Sequence, residues 1–178
     1  MIGSDWSSDV CSSDLMEAEG KIVLVDMEGN KHTADKRILS MSEYLKGMRD
    51  NGSIKDDTLT LGSIKGSCLS RVVTFCEHHL DNPLTEIERP LKSSNMRDIV
   101  PEWDAAFIEI PTEELMDLVV AANFLIIQPL LDVACAKIAS MIKGRTPEEI
   151  RATFNIESDF TPEEEAKIRE ENRWAAEE

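Results

Sequence analysis

The sequence predicts an α+β fold, because short runs of strand type in the first third of the chain are followed by helical stripes. Lys21–Asp26 is an apolar run of strand type, and Thr58–Leu61 alternates between polar and apolar residues. From Lys65 onward, apolar residues recur at spacings of three and four, which is the period of an amphipathic helix. A length of 178 residues suits one ordinary domain, or a small domain with an extension, and is enough to bury a core.

The first strand leads into a predicted β-hairpin and then into helical segments. Glu28–Asn30 is a cluster of turn residues, and a second short strand follows at Lys31–Ala34. Asp35–Leu39 and Ser42–Arg49 have helical composition, and we expect helical structure to break near Gly47 and again near Asn51-Gly52.

A third strand and a longer helix complete this N-terminal unit. Thr58–Leu61 predicts the strand, and the helix after Lys65 has one apolar stripe that we expect to face the core. The stripe consists of Leu69, Val72, Val73, Cys76 and Leu80.

A surface loop separates this unit from a second group of helices. Asp81–Val100 contains two prolines, mixed charge and no period, and order returns in the stretch PEWDAAF that begins at Pro101. Thr112 is a candidate N-cap for the next helix, whose shared face consists of Leu115, Leu118, Val119 and Ala122.

One more helix is predicted to begin at Pro129 and to end near Gly144. Its apolar stripe would belong to the hydrophobic centre of the C-terminal half of the chain. The stripe consists of Leu131, Cys135, Ile138 and Ile142.

Two short helices are specified in the tail by the same local signal. Thr146–Glu149 and Thr161–Glu164 both read Thr-Pro-Glu-Glu, which places Thr at the N-cap, Pro at the first helical position and Glu at the third. In the second helix, Glu163 with Lys167 and Glu165 with Arg169 are spaced as favourable i,i+4 pairs.

The tail has too few apolar residues to fold firmly alone. Residues 144–178 contain 11 acids and 5 bases around isolated anchors, and such a composition does not offset an ordering entropy of about 1–2 kcal/mol per residue. Spaced anchors on short helices are typical of partner-binding surfaces. From composition alone, an equally good alternative is that Phe154 and Trp174 fold back onto the preceding helices.

The charge excludes two classes of partner. The chain has 19 basic and 35 acidic residues, a formal charge of −16, so nucleic acid and anionic membranes would repel it.

The longest uncharged run, Leu118–Leu131, is fourteen residues, whereas a helix that spans a membrane needs about twenty. No secretory signal is recognisable, and we expect the protein to stay inside the cell.

The first fifteen residues do not match the rest of the chain. Asp5–Leu15 reads DWSSDVCSSDL, is rich in Ser and Asp, and has no periodicity. It resembles the translation of a sequencing-adapter oligonucleotide, and Met16 follows as a natural initiator. We therefore expect residues 1–15 to be a non-native leader, the alternative being a native disordered extension.

The sequence contains no recognisable motif for catalysis, metal binding or cofactor binding. Cys68, Cys76 and Cys135 form no CxxC pair, and Cys76 with His78 and His79 lacks a second ligand pair at a zinc-like spacing. There is no GxSxG nucleophile motif and no phosphate loop. We expect no catalytic residue, no metal, no cofactor and no small-molecule substrate, so a binding protein is favoured over an enzyme.

Four segments have a distinctive sequence: PEWDAAF (Pro101–Phe107), ELMDLVVAANFL (Glu114–Leu125), LLDVACAKIASMIKGRTPEEIRATFNI (Leu130–Ile156) and DFTPEEEAKIREENRW (Asp159–Trp174). They resemble the S-phase kinase-associated adaptor family, which joins F-box substrate receptors to a cullin scaffold in SCF ubiquitin ligases. The resemblance covers essentially Gly20 to Glu178 and is most specific in the tail.

The resemblance implies a BTB/POZ-like domain at residues 16–143, with a surface loop at 81–100, and a helical F-box-binding extension at 144–178. It implies a non-catalytic adaptor that supports ubiquitination and proteasomal degradation. The alternative is a BTB-type interaction subunit of an F-box complex that lacks cullin.

The resemblance also implies two sets of contact residues. Cullin would bind at Asn123 and Phe124, where Phe124 keeps the ring of the family's usual Tyr and loses its hydroxyl. The F-box contacts would be Leu131, Cys135, Ile138, Ile150, Thr153, Phe154, Ile156, Ile168, Asn172 and Trp174.

Overall fold

The computed structural model describes residues 20–84 and 86–173, so the predicted leader at residues 1–15 and the predicted contact Trp174 lie outside the described residues. In the described part of the chain, the strands are β1 (Lys21–Val25), β2 (Lys31–Asp35) and β3 (Thr58–Thr60). The helices are α1 (Glu43–Asp50), α2 (Gly66–His79), α3 (Glu102–Phe107), α4 (Thr112–Leu125), α5 (Gln128–Ile142), α6 (Pro147–Phe154) and α7 (Pro162–Glu171). Short 3-10 helices occupy Lys36–Met41 and Met96–Asp98, and the α+β class is confirmed.

The chain divides into two compact units, with the division between Ser140 and Met141. The predicted boundary at residue 143 lies three residues further along the chain. The first unit contains the sheet and most of the helices, and the second contains α6 and α7.

The sheet is small, and β1 lies in its centre. The strand order is β2-β1-β3, with β2 antiparallel and β3 parallel to β1. Ile22 pairs with Ala34 and Leu24 pairs with Leu59, and all four side chains are buried on one face. The predicted hairpin and the predicted third strand are confirmed.

A buried carboxylate holds the turn of the hairpin. Asp26 accepts hydrogen bonds from the backbone N–H groups of Glu28 (2.8 Å) and Asn30 (2.9 Å). It also accepts from Asn30 Nδ2 and from His32 Nε2, both at 3.0 Å. Burial alone would raise the pKa of Asp26, but these hydrogen bonds, led by that of His32, lower it to about 2.

The same carboxylate lies against the first residue of α2. A Cβ atom added to Gly66 would be 2.3 Å from Asp26 Oδ2, which no side chain tolerates. Gly66 is therefore required by the close approach of the helix to the hairpin turn, and the negative carboxylate at a helix N-terminus is also favourable.

Helix α1 runs without interruption through Gly47, so the predicted break near Gly47 is wrong. Ser42 caps the helix through a hydrogen bond from Leu45 N–H, and Leu45 is buried. A cap and one buried side chain outweigh the cost of about 1 kcal/mol that Gly adds to a helix interior.

Helix α2 is more deeply buried than its predicted stripe. Leu69, Val72, Val73 and Cys76 are buried as predicted, but so is Phe75, and Leu80 is only half-buried and follows the last turn. Phe75 packs against the rings of Trp103 and Phe107 from α3, and Trp103 in turn stacks on His78 with ring centroids 3.6 Å apart.

His79 lies in the last turn of α2 and is nevertheless buried. Its ring lies between the carbonyl oxygen of Asn82 (2.6 Å from Nδ1) and a carboxylate oxygen of Asp104 (2.8 Å from Nε2). Because a carbonyl oxygen can only accept, Nδ1–H donates to Asn82, and Nε2 makes the contact with Asp104. The contact between His79 and Asp104 joins the end of α2 to α3.

The face that α5 buries is not the predicted one. The buried residues of α5 are Leu130, Val133, Ala134, Ala136 and Ser140. Of the predicted stripe, Leu131 and Ile138 are half-buried, whereas Cys135 and Ile142 are exposed. The start at Pro129 is confirmed, since the helix begins at Gln128, and Gly144 follows its end with a φ of 72°.

Helix α4 lacks the predicted cap. Pro111 occupies the N-cap position without a side-chain hydrogen bond, and Thr112 is the first helical residue. Leu115, Leu118 and Ala122 are buried as predicted, whereas Val119 is half-buried. In residues 20–84 and 86–173 no helix combines the length and the apolar character needed to cross a membrane.

Both predicted capping boxes of the second unit are confirmed. Thr146 with Glu149 and Thr161 with Glu164 make the two reciprocal side-chain to backbone hydrogen bonds of the motif. The backbone N–H of Thr161 lowers the pKa of Glu164 below its ordinary value.

The predicted i,i+4 pairs of α7, Glu163 with Lys167 and Glu165 with Arg169, are wrong. Glu165 and Arg169 pair with residues of α6, and Lys167 lies near Glu171 of α7 instead. Arg151 donates to Glu165 at 2.6 Å, and Arg169 donates to Glu148 at 2.5 Å. Lys167 lies 3.9 Å from Glu171. Two ion pairs thus join α6 to α7.

We expect Gly66→Ala to destabilise the fold by about 1–3 kcal/mol, because the added methyl group overlaps the hydrogen-bonded carboxylate of Asp26. Gly47→Ala is the matched control, since a Cβ at Gly47 meets nothing within 4 Å in mid-helix and should stabilise by about 0.5–1 kcal/mol. Urea unfolding of both variants measures the difference. Equal effects of the two substitutions would refute the close approach at Gly66.

We expect Asp26→Asn to lower the melting temperature at neutral pH, because an amide cannot accept all four hydrogen bonds that Asp26 accepts. Since the pKa of Asp26 is lowered to about 2 in the fold, its stabilisation is complete above pH ~4 and is lost as the pH falls towards 2. The difference in melting temperature between the two proteins should therefore shrink over this range. A difference that stayed constant down to pH 2 would contradict the network.

Candidate protein-binding site

The apolar side chains that the fold leaves exposed fall into two groups. Among the described residues, nine large apolar side chains are exposed, and only Met27 on the hairpin turn lies outside these groups. The first group belongs to α4 and its end: Met116, Val120, Phe124 and Ile126. The second group belongs to the second unit: Ile142, Ile156, Phe160 and Ile168.

The predicted cullin contacts lie in the first group, on the last turn of α4. Asn123 is exposed and Phe124 is 39% exposed. Val120 lies one turn earlier on the same helix and is 69% exposed. Together these side chains form an apolar surface with one amide group, which we call the α4 surface (Met116, Val120, Asn123, Phe124 and Ile126).

A buried serine positions the α4 surface. The hydroxyl of Ser42 donates to the carbonyl oxygen of Leu125 at the end of α4 and accepts from the N–H of Leu45 (3.1 Å) in α1. The N–H of Glu43 donates to the carbonyl oxygen of Ile126 (3.4 Å). The start of α1 is therefore fixed to the end of α4.

This junction places two aromatic rings side by side. Tyr44 is half-buried, and its ring centroid lies 4.9 Å from that of Phe124 at an interplanar angle of 43°. Such tilted pairs are favourable beyond the area they bury. Tyr44 therefore supports the Phe124 ring from the α1 side and keeps it on the surface.

Of the predicted F-box contacts, three lie on the outer stripe of α5 in the first unit. Leu131 and Ile138 are half-buried and Cys135 is exposed. The opposite face of α5 fills the core, so these side chains keep part of their surface exposed to solvent. Their predicted place in the hydrophobic centre is therefore wrong for Cys135 and only partly met by Leu131 and Ile138.

The remaining described F-box contacts lie in the second unit. Ile150, Thr153 and Phe154 on α6 are half-buried, whereas Ile156, Ile168 and Asn172 are exposed. Ile156 is 56% exposed and Ile168 is 40% exposed. None of the described residues of this unit is buried, so its anchors remain partly accessible.

The buried thiols of Cys68 and Cys76 are poorly suited to nucleophilic chemistry or metal binding. Burial raises the pKa of Cys68 to about 11 and that of Cys76 to about 12. Among the residues that the structure describes, no group of three or more His, Cys, Asp or Glu side chains is arranged to hold a metal ion.

Sequence reasoning missed Tyr44 and three members of the α4 surface, namely Met116, Val120 and Ile126. Tyr44 could not be found because its contact with Phe124 joins segments far apart in the chain. Val120 could have been found, since Met116, Val120 and Phe124 repeat at a spacing of four on the side of α4 away from the predicted core face. Ile126 carried no helical signal because it follows the helix.

Together, the fold and these surfaces define a class: a small α+β interaction module with a helical extension and exposed apolar docking surfaces. Comparisons with known proteins narrow that class. Residues 128–175 match the model of the Skp1 family, dimerisation domain.

Curated relatives match nearly the whole chain. The S-phase kinase-associated protein 1 homolog of Tetrahymena thermophila is 44% identical over 158 residues, which are 88% of this chain and 95% of that protein. The E3 ubiquitin ligase complex SCF subunit sconC of Arthroderma benhamiae is 39% identical over 160 residues, covering 90% of this chain and 98% of that protein. The protein of the same name from Arthroderma otae is 38% identical, covering 89% of this chain and 96% of its own length.

The chain therefore belongs to the Skp1 family. The predicted resemblance and the predicted BTB/POZ-like α+β fold are confirmed.

We expect Ser42→Ala to destabilise the first unit by about 2 kcal/mol, because the change removes a helix cap and leaves the buried Leu125 carbonyl without its hydroxyl donor. Urea unfolding provides the measurement. Ser40→Ala is the matched control, since Ser40 is exposed and its loss should change stability by less than about 0.5 kcal/mol. If both substitutions had the same small effect, the junction between α1 and α4 would not depend on Ser42.

Proposed function

We propose that this protein is a non-catalytic adaptor that bridges F-box substrate receptors to a cullin scaffold in an SCF-type ubiquitin ligase. Through it, bound substrates would be positioned for ubiquitination and then degraded by the proteasome. Family membership supports this role, and two of the relatives are named as subunits of an SCF ligase complex.

The observation that carries the proposal is the separation of the exposed apolar side chains into two groups. An adaptor needs two docking surfaces that can be occupied at once. Of the nine large apolar side chains that are exposed in residues 20–84 and 86–173, four lie at the end of α4 and four in the second unit. Large exposed apolar groups in a chain with a formal charge of −16 are typical of protein-binding sites rather than of a solvated surface.

We assign the α4 surface to cullin. Asn123 and Phe124 lie at the positions of the family's Asn-Tyr pair, and both are accessible. The exposed ring offers an aromatic anchor of the kind that dominates interface energies, and the exposed amide of Asn123 can supply a directional hydrogen bond beside it.

We assign the F-box contacts to the outer stripe of α5 and to the second unit, so that residues 144–178 act as the F-box-binding extension of the domain at residues 16–143. The half-buried Leu131, Ile138 and Phe154 and the exposed Ile156 and Ile168 are anchors with unused apolar area. Burying about 100 Å² of such area contributes about 2.5 kcal/mol of hydrophobic free energy, before the entropy cost of association is subtracted.

The adaptor role requires no chemistry from this chain. The described residues offer side chains for docking, and the buried thiols of Cys68 and Cys76 have raised pKa values that keep them protonated. Specificity for substrates would then reside in the F-box protein. The role also implies a location in the cytoplasm and the nucleus.

Two substitutions should separate the two docking surfaces. We expect Phe124→Ala to weaken cullin binding about 10-fold or more and to leave F-box binding unchanged, because it removes the exposed aromatic anchor of the α4 surface. We expect Cys135→Glu to do the reverse, because it places a charge on the outer stripe of α5 at an exposed position that the fold tolerates. Calorimetry with a cullin and an F-box protein of Tetrahymena thermophila measures both affinities.

Met27→Ala is the control, since Met27 is the exposed apolar side chain outside both groups and should affect neither affinity. If either substitution weakened both interactions equally, the assignment of separate surfaces would be wrong. If the unaltered chain bound the F-box protein and no cullin, it would be the interaction subunit of an F-box complex that lacks cullin.

A further inference from the structure

The end of α4 has an unusual residue in a well-defined motif. Ile126 is in the left-handed region, with φ 53° and ψ 53°. Its N–H donates to the carbonyl oxygen of Asn123 (3.2 Å), and the N–H of Ile127 donates to that of Ala122 (3.0 Å). These are the two hydrogen bonds of a Schellman motif, and the buried Ile127 and Ala122 supply its apolar contact.

An isoleucine is poorly suited to this position. The left-handed conformation brings Cβ close to the following carbonyl group, and a β-branched side chain increases the strain. Three other helices in the described part of the chain are followed by a left-handed residue, and each has a residue type that accepts it: Gly52, Gly144 and Asn155. Ile126 is the exception.

The fold leaves much of the apolar surface of Ile126 uncovered, since the residue is 51% exposed. The contacts that fix this residue are made by its backbone, namely the bond to Asn123 and the bond that its carbonyl oxygen accepts from Glu43 N–H (3.4 Å). Glycine or asparagine would make the same backbone bonds with less strain. The benefit of an apolar side chain here therefore lies outside the molecule.

We propose that Ile126 is a specificity-determining docking residue that inserts its side chain into an apolar pocket of the cullin partner. This inference rests on the proposed function and extends it by one residue that the family motif does not include. Ile126 is two residues from Phe124 and continues the α4 surface, whose other exposed members are apolar apart from Asn123. Its rigid backbone presents the side chain in one position, which lowers the entropy lost on binding.

The test uses Ile126→Asn, because asparagine accepts the left-handed conformation and replaces the apolar surface with an amide. The melting temperature should rise by about 2–4 °C as the strain is relieved. Affinity for a Tetrahymena thermophila cullin, measured by calorimetry on the full chain, should fall about 10- to 100-fold. Binding of an F-box protein should not change.

Met27→Asn is the matched control, since Met27 is 54% exposed and the substitution has the same apolar-to-amide character. It should leave cullin affinity unchanged. A higher melting temperature with unchanged cullin affinity would overturn the role of Ile126 and leave the adaptor function intact. A melting temperature that did not rise would overturn the strain argument, and failure of the unaltered chain to bind cullin would overturn this inference and the proposed function together.

Discussion

The link between α4 and α5 is the constraint on which much of the first unit depends. Only Ile126 and Ile127 separate the two helices, yet Leu125, Ile127 and Leu130 are fully buried around the turn. A link this short requires a left-handed residue, and burial of the residues on either side determines which one. Ile126 must then point outward, and Ser42 must supply a donor for the carbonyl oxygen of Leu125.

The same turn sets the orientation of α5. Once Ile127 and Leu130 are buried, the helical period directs Val133 and Ala134 inward, and it directs Cys135 outward. The outer stripe of α5 is thus a geometric consequence of how the core is closed. Both faces of the helix are apolar in sequence, so periodicity could identify a stripe but could not determine which stripe the core would take.

Features with a local physical cause were predictable from the sequence. The capping boxes at Thr146 and Thr161 depend on residues three positions apart, and the hairpin depends on its turn residues and on alternation in β1. Features caused by tertiary contact were not predictable. The pairing of Arg169 with Glu148 rather than with Glu165, and the burial of His79 beside Asp104, depend on which helices meet.

The candidate site likewise has residues that the sequence could predict and residues that only tertiary contact reveals. The motif that resembles the family identified Asn123 and Phe124, and both are accessible. The support from Tyr44, which lies 4.9 Å from Phe124 between ring centroids, arises only when α1 is fixed to α4. The second unit has no described residue that is buried, so its helices depend on half-buried side chains such as Phe154, on local caps of about 1 kcal/mol each, and on ion pairs that are exposed or partly exposed. For the proposed adaptor, the apolar burial that this unit lacks would come from the F-box partner, and part of the interface energy would then order the helices. Such coupling lowers affinity per unit of buried area and allows one surface to adapt to different receptors.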